Sequence, residues 1–530
     1  MKTLARLALG LSLALTACKH AVPLPDDVRA ALRAKPGSYV VGTPVELNEP
    51  ALLLNNEDFV YDAKPSPDSS AVAVSRLGMK NFQLTLWALE NPPRQLGDVA
   101  VNPYEFDIDA VEYAPDGAAV AAVSRDRAVR AYDAKTAKLV GQWLTEEPLV
   151  TLAFHPSGHW LVVGSAKGLV TTLAWPSLQF VAETRVHADE VRALAFAPDG
   201  RLFTGSWDKS IVVFTSQEEQ LASDSARIHF DRKGGAAQVR GTLAGKASAT
   251  FAIDARLPVA VVVRPALAKT SGLDATELKD EVPLQSAFGT VNAKVAHGVS
   301  VSFKGLQLDG LDVAICEACV AEGAQAALGQ GFADLVDLSY DEAAKEAVLK
   351  RKVATAAAQS SVGLTLKETQ RFTFQGSVND FSLDRAGKVL GVAFSETKSE
   401  RTRDIYEREK KGIVEPDRAW DCGARVDAAT GAVLEQVHGH HGVVATAAIS
   451  PDGVTLATGG WDKRVLLHRS GGEPVERSFG WAVRRLRFTA DGRYLVVAAW
   501  TPQNPMGDHK SNTSAAAWEV GRESPTVVAP

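Results

Sequence analysis

Few residues of this 530-residue chain sit where they could do covalent chemistry. Asp254 closes the apolar run Thr250-Phe-Ala-Ile-Asp254 and is followed by Ala255 and Arg256. A carboxylate at the end of a strand can serve as a general base on water. Proteolysis by such groups needs two of them, close enough to share one proton. Arg256 acts against that state, because a guanidinium beside the carboxylate holds it ionised. Cys316-Glu-Ala-Cys319 has the spacing of half a zinc site or of a redox pair, but no second ligand pair and no His at fitting distance accompanies it. A local disulfide between Cys316 and Cys319, or one of the two bridged to Cys422, is the expectation. His438-Gly-His440-His441 groups three imidazoles without further ligands. No metal and no cofactor are expected, and the sequence has no Walker loop, H-E-x-x-H or G-x-S-x-G.

Charge narrows the partners. Lys and Arg number 57 against 63 Asp and Glu, a formal charge of −6, which gives phosphate backbones nothing to bind. Nucleic acid is therefore not an expected partner. At the N-terminus, Lys2 and Arg6 precede a short apolar stretch at 7–15, too short to span a bilayer. It ends in Leu15-Thr16-Ala17-Cys18, which resembles the bacterial lipobox. The resemblance implies a signal peptide at 1–17, a lipidated Cys18 as the mature N-terminus, and a tether over 18–38 that carries Pro23, Pro25 and Pro36. Lys19, rather than Asp, follows the Cys. The expected location is the bacterial envelope, on the outer membrane facing the periplasm, with the membrane bound through the acyl chains.

The elements that must carry these residues announce themselves by repetition. Ala197-Pro-Asp-Gly-Arg-Leu-Phe-Thr-Gly-Ser-Trp-Asp-Lys209 returns as Ser450-Pro-Asp-Gly-Val-Thr-Leu-Ala-Thr-Gly-Gly-Trp-Asp-Lys463. Each copy reads as strand, Pro-Asp-Gly turn, strand, tight turn at Asp, strand. Weaker turns stand at Ser66-Pro-Asp-Ser69, Ala114-Pro-Asp-Gly117, His155-Pro-Ser-Gly158, Asp384-Arg-Ala-Gly387 and Thr489-Ala-Asp-Gly492, making seven. Their spacing of about 40 residues is that of four-stranded propeller blades.

These repeats resemble the WD-repeat β-propeller family, with His187-Ala-Asp-Glu-Val191 as its His-x-x-x-Val opening. The resemblance implies a mainly β, seven-bladed propeller in which His187, Ser206, Asp208 and Asp462 are structural turn and hydrogen-bond residues. The family's terminal Trp-Asp pair is Phe214-Thr215 in one copy and His468-Arg469 in the other. Blades are expected near 58–95, 107–143, 149–185, from 191, 381–437, 443–479 and 483–520, with residues 40–54 supplying the last blade's outer strand. The charged run at 395–411 is expected to be a solvated loop. About 145 residues too many separate the fourth and fifth turns. The propeller is thus read as 39–216 and 363–530, with an inserted domain at 217–362 hanging from the face opposite the Asp turns.

Within that insertion, the hairpin and strand leading to Asp254, followed about 75 residues later by Ala327-Leu-Gly-Gln-Gly-Phe332, are similar to the retropepsin-like aspartic protease domain. The family's Asp-Thr/Ser-Gly is Asp254-Ala255-Arg256 here. The expected function is a periplasmic protein-protein scaffold that binds other envelope proteins or peptides and carries a degenerate, inactive insertion. The alternative is an aspartic endopeptidase, active as a dimer through Asp254. The sequence leaves the oligomeric state open.

Overall fold

A computed structural model describes residues 52–55, 59–77, 82–90, 93–100, 108–221, 225–233, 235–286, 289–352, 361–396, 421–469, 474–478, 482–500 and 515–520. The expected signal peptide, Cys18, the expected tether and most of the charged run at 395–411 lie outside these residues.

The seven turns do the same physical work. In each, the amide of the fourth residue donates to the carbonyl of the first at 2.8–3.0 Å, and the fourth residue has positive φ. This is a type I turn ended by a left-handed residue, which is why Gly stands there six times; Ser69, at φ 61°, is the exception. The Asp side chain ties the turn from within: Asp116 accepts the Ala118 amide at 2.9 Å and Asp452 that of Val454 at 3.0 Å. Each turn joins an innermost strand to a second strand of small and β-branched residues.

The chain is mainly β in a propeller arrangement. Six separate four-stranded sheets form, each an antiparallel meander: 59–100, 149–185, 191–221 with Ser361–Thr373, strands within 377–437, 444–478, and a closing sheet over 482–519. The closing sheet takes its fourth, outermost strand from the other end of the chain, Leu52–Asn55, which covers the edge of Ala515–Glu519. The expected count of seven blades is corrected: six stand as separate four-stranded sheets. Strands over 108–144 form the same four-stranded meander, but they are one end of a fourteen-stranded sheet that runs on into the insertion. The cause is a parallel pairing of Leu144 with Ala247, which joins the outer strand Leu139–Leu144 to Ala247–Ile253.

The innermost strands touch in sequence, Phe59–Pro65, Ile108–Tyr113, Leu149–Phe154, Val191–Phe196, Ser377–Leu383, Val444–Ile449 and Ala482–Phe488, and the last touches the first. Close packing between successive sheets explains the glycine of the repeated Thr-Gly-Ser/Gly-Trp-Asp phrase. A Cβ on Gly205 would lie 2.7 Å from Phe381, and one on Gly459 would lie 2.4 Å from Val483, both in the next sheet.

The insertion leaves as a ribbon, Ser210–Leu221 paired with Ser361–Thr373 over its whole length, from the face that carries the turn at 155–158. It does not hang from that face, as the sequence suggested. It docks instead along the outer edges of strands at 139–144 and 179–185, because buried charge holds it there. Arg240 donates to Glu183 at 2.8 and 3.1 Å and pairs with Glu146 at 3.1 Å, and the Thr250 amide donates to Glu146 at 2.8 Å. The insertion has its own core, where Phe251 and Phe303 meet edge-to-face at 5.4 Å and Phe303 meets Phe332 at 5.7 Å. Two strand crossings define it. Ala247–Ile253 runs parallel to Ala326–Leu328, which is antiparallel to Val261–Val263, which in turn is parallel to the end of Leu306–Ile315.

Candidate functional site

The histidines of the two strong repeats are buried in hydrogen-bond chains. His187 lies between Asp208 Oδ2, at 3.0 Å from Nδ1, and Thr204 Oγ1, at 2.8 Å from Nε2; Ser210 also reaches Nδ1. Asp208 accepts the Ala188 amide as well, and its carboxyl is held well below the usual carboxylate range: burial pushes it up, but the bonds to His187 and Ser210 outweigh that. The hydroxyl that closes on His187 is that of Thr204. Ser206, two residues on, accepts the Asp208 amide instead at 3.1 Å. The second chain runs from Asp462 to His440 to Thr458, with both Asp462 oxygens 3.0 Å from Nδ1 and Thr458 at 2.9 Å from Nε2. His468 then approaches Thr458 at 3.2 Å. His440 is therefore spent on a turn rather than on a metal, and among the described residues no group of His, Cys, Asp and Glu is arranged to hold one.

Asp254 stands at the end of its strand with its amide bonded to the Leu328 carbonyl at 2.9 Å. Both carboxylate oxygens are taken by Arg256, Nε to Oδ1 and Nη2 to Oδ2, each at 2.7 Å. That hydrogen-bonded guanidinium holds the Asp254 carboxyl below the usual range. Cys316 and Cys319 are joined as a disulfide, with Cα atoms 5.4 Å apart, and Cys422, buried, is not part of that bridge.

The densest collection of charge was not singled out in the sequence. It lies in the channel ringed by the innermost strands. Each of these seven strands bulges once, near its start, and the extra residues are Tyr61, Asp109, Val150, Arg192, Asn379, Ala445 and Arg484. A bulge re-aims the side chain it inserts. Around this ring, Arg125 bridges Asp109 at 3.3 Å and Glu190 at 3.0 Å, Arg192 donates to Glu190 at 2.5 Å, and Arg484 lies 3.8 Å from Asp109. Aromatic faces back two of the guanidiniums: Arg192 lies 4.9 Å from the Trp207 ring and Arg484 4.7 Å from that of Tyr61. Trp207 is itself pinned, its Nε1 donating to Asn379 at 3.0 Å.

One layer deeper, Arg487 forks onto Asp380 at 2.8 and 2.9 Å, and Arg485 lies 3.7 Å from Asp380 and 4.0 Å from Asp62. Asp62 also accepts the Val111 amide of the next strand at 2.9 Å, and Thr446 donates to Asp380 at 2.6 Å. The sequence did carry a signal for this cluster. Arg484-Arg485-Leu-Arg487 places three like charges in a strand that otherwise reads as core.

Comparison with known proteins falls on the repeats. The family described as WD domain, G-beta repeat matches residues 178–215 and 431–469. Periodic tryptophan protein 2 of Saccharomyces cerevisiae (strain ATCC 204508 / S288c) is 33% identical over 88 residues, 16% of this chain and 10% of that protein. WD repeat-containing protein SL1-17 of Schistosoma mansoni is 33% identical over 150 residues, 27% of this chain and 47% of that protein. The chain thus spans less than half the length of either relative. Among solved structures, a chain of "Crystal Structure of Mitotic Checkpoint Complex" aligns at 12% identity and TM-score 0.48, covering 92% of this chain and 96% of that one. Matched repeats and sheet topology agree: the chain carries WD repeats on a β-propeller-like fold.

Proposed function

We propose that this chain is a lipid-anchored envelope protein whose WD-repeat propeller docks other proteins, and that its insertion is an aspartic-protease-like domain that no longer cuts peptides. WD-repeat propellers generally bind other proteins, and the proposed ring has seven blades, the seventh being the meander continuous with the insertion. The meander at 108–144 supports that count: it has the same strand order, the same bulge, at Asp109, and a place between the sheets at 59–100 and 149–185.

Support for the protease-like reading comes from the crossing strands. The Asp254 strand lies parallel to Ala326–Leu328, and Gly329 tucks beneath the turn after Asp254, where a Cβ would come within 2.2 Å of the Val259 carbonyl oxygen. The observation that carries the loss of activity is the closed Asp254–Arg256 pair. A carboxylate engaged at both oxygens by a guanidinium two residues away cannot share a proton with a second carboxylate. The anchor and the periplasmic location rest on the segment ending in Cys18.

Three measurements test this reading. The purified protein should leave unfolded casein intact between roughly pH 3 and 7, the range open to a carboxylate pair; cleavage abolished by Asp254→Asn would move it to the peptidases. Mass spectrometry of membrane-extracted protein should show diacylated Cys18. A photo-crosslinking residue at Lys209, exposed in the turn beside the ring of bulges, should trap envelope proteins in intact cells, and failure to trap any would remove the scaffold reading.

A further inference from the structure

Cys316 follows the strand Leu306–Ile315, and Cys319 stands three positions on, so their disulfide ties one turn of the insertion and little else. A cross-link that closes so short a loop takes little entropy from the unfolded chain. Other bonds already fix the same turn. The Arg264 guanidinium donates from Nε to the Ala324 carbonyl at 2.9 Å, from Nη1 to that of Glu317 at 3.2 Å, and from Nη2 to those of Val320 at 3.0 Å and Ala321 at 3.3 Å. Its Nη1 also meets the Glu317 carboxylate. Backbone bonds anchor both ends, the Cys316 amide on the Val263 carbonyl at 2.9 Å and the Arg264 amide on that of Gln325 at 2.9 Å. The S–S bond is therefore redundant for the shape of residues 316–325, and breaking it leaves the two sulfurs side by side.

Exposure separates the two. Cys316 is 4% exposed and packs among Leu284, Ala293, Ala314 and Val320, whereas Cys319 is half-buried behind Glu317 and Ala318, both exposed. A thiolate arriving from solvent meets Cys319 first. Arg264 bonds the carbonyls on either side of Cys319, at residues 317 and 320, which sets a positive charge beside the segment where negative charge must form. We infer that Cys316–Cys319 is a reversible thiol–disulfide exchange site that takes electrons from dithiols, with Cys319 as the attacked sulfur and Cys316 as the resolving one. One thiolate of the dithiol attacks Cys319 Sγ, the S–S bond breaks, a mixed disulfide forms at Cys319, and Cys316 leaves as a thiolate that takes a proton from water. The second thiolate of the dithiol then attacks its own sulfur in the mixed disulfide and releases Cys319. Two electrons pass to the pair, and the dithiol departs as a disulfide. On the way back Cys316 attacks the mixed disulfide at Cys319, an intramolecular step that Arg264 speeds by holding the turn closed.

The test uses the folded, purified protein and mass spectrometry of the peptide that carries both cysteines. Reduced dithiothreitol followed by iodoacetamide should alkylate Cys316 and Cys319, and oxidised dithiothreitol added before the iodoacetamide should restore the bridge. The circular dichroism spectrum should not change on reduction. Arg264→Gln should slow re-oxidation by about tenfold or more, whereas Arg227→Gln, in an exposed ion pair elsewhere on the insertion, should leave it unchanged. Should Arg264→Gln fail to fold, serine variants give an independent readout. With Cys316→Ser, glutathione disulfide should add glutathione to Cys319; with Cys319→Ser, Cys316 should stay unmodified. A bridge that yields to dithiothreitol only after urea has unfolded the protein would make it a static staple and overturn the inference. So would glutathione on Cys316 in place of Cys319, or re-oxidation at the parent rate in a folded Arg264→Gln.

Discussion

Replacing Asp380 by Asn should unfold this protein more readily than any single change at its surface. Asp380 is 1% exposed at the side chain and accepts from Arg487 at 2.8 and 2.9 Å and from Thr446 at 2.6 Å, with Arg485 3.7 Å away. Asparagine keeps the shape and removes the charge. Two guanidiniums, 17% and 6% exposed, then lose that carboxylate, and Arg485 keeps only the longer approach to Asp62 at 4.0 Å. Breaking a buried pair from one side costs about 3–5 kcal/mol, because the surviving charge stays desolvated. Against a typical total of roughly 5–15 kcal/mol, that is a large fraction.

Urea unfolding of the purified protein, followed by circular dichroism, reads the loss as a lower midpoint at unchanged slope. The double variant Asp380→Asn/Arg487→Met should recover part of it, since no unpaired charge remains at 487, and the cycle gives the coupling directly. The pH dependence has a definite sign. Burial raises the Asp380 carboxyl, but Arg487 and Arg485 outweigh it and hold the group below its ordinary value. Its contribution is therefore present above the unfolded value, near 4, and disappears as pH falls through the lower folded one. If Asp380→Asn unfolds within 1 kcal/mol of the parent, the ion cluster is not what holds the channel together.

Two further outcomes are expected. His468 is pushed down to about 3, by burial first and then by His440 and Arg425, so it stays neutral in the fold while the unfolded chain takes up a proton near 6.5. Stability should fall as pH drops from about 6.5 toward 3, by at most about 1.4 kcal/mol per unit from this group, and chemical denaturation of His468→Leu should show a flatter profile. Arg240→Gln should loosen the insertion without unfolding the propeller. Losing charge-assisted bonds worth about 2 kcal/mol should speed amide exchange in strand Ala247–Ile253 by roughly 30-fold and leave the sheet at 444–478 unchanged.

The blades were legible because their signals are local. A Pro-Asp-Gly turn states its own φ angles, and its recurrence at about 40 residues states the module; the position of the chain's excess length likewise marks where a second body interrupts the sheet. Features made by contact between distant segments were not legible. Nothing near Leu144 announces that it pairs with Ala247, and Arg240 meets Glu183 only because two separately folded surfaces face each other. That Thr204, and not Ser206, closes on His187 was not legible for a subtler reason. The two alternate on one face of the same strand, so the repeat pattern permits either, and the reach of the His187 ring decides. The bulges escaped notice because one extra residue per strand leaves the spacing of the turns unchanged.

The location of the ion cluster follows from how the ring must close. The closing sheet joins Leu52–Asn55 to Ala515–Glu519, elements from opposite ends of the chain, so its assembly carries the largest loop-closure cost in the propeller. That sheet also supplies Arg484, Arg485 and Arg487, while their carboxylates come from the sheets at 59–100, 108–144 and 377–437. The charges can be satisfied only when first and last sheets are both in place, and a partly closed ring would leave guanidiniums without their carboxylates. Incomplete closure is penalised beyond the loss of strand pairing, which favours one all-or-none ring.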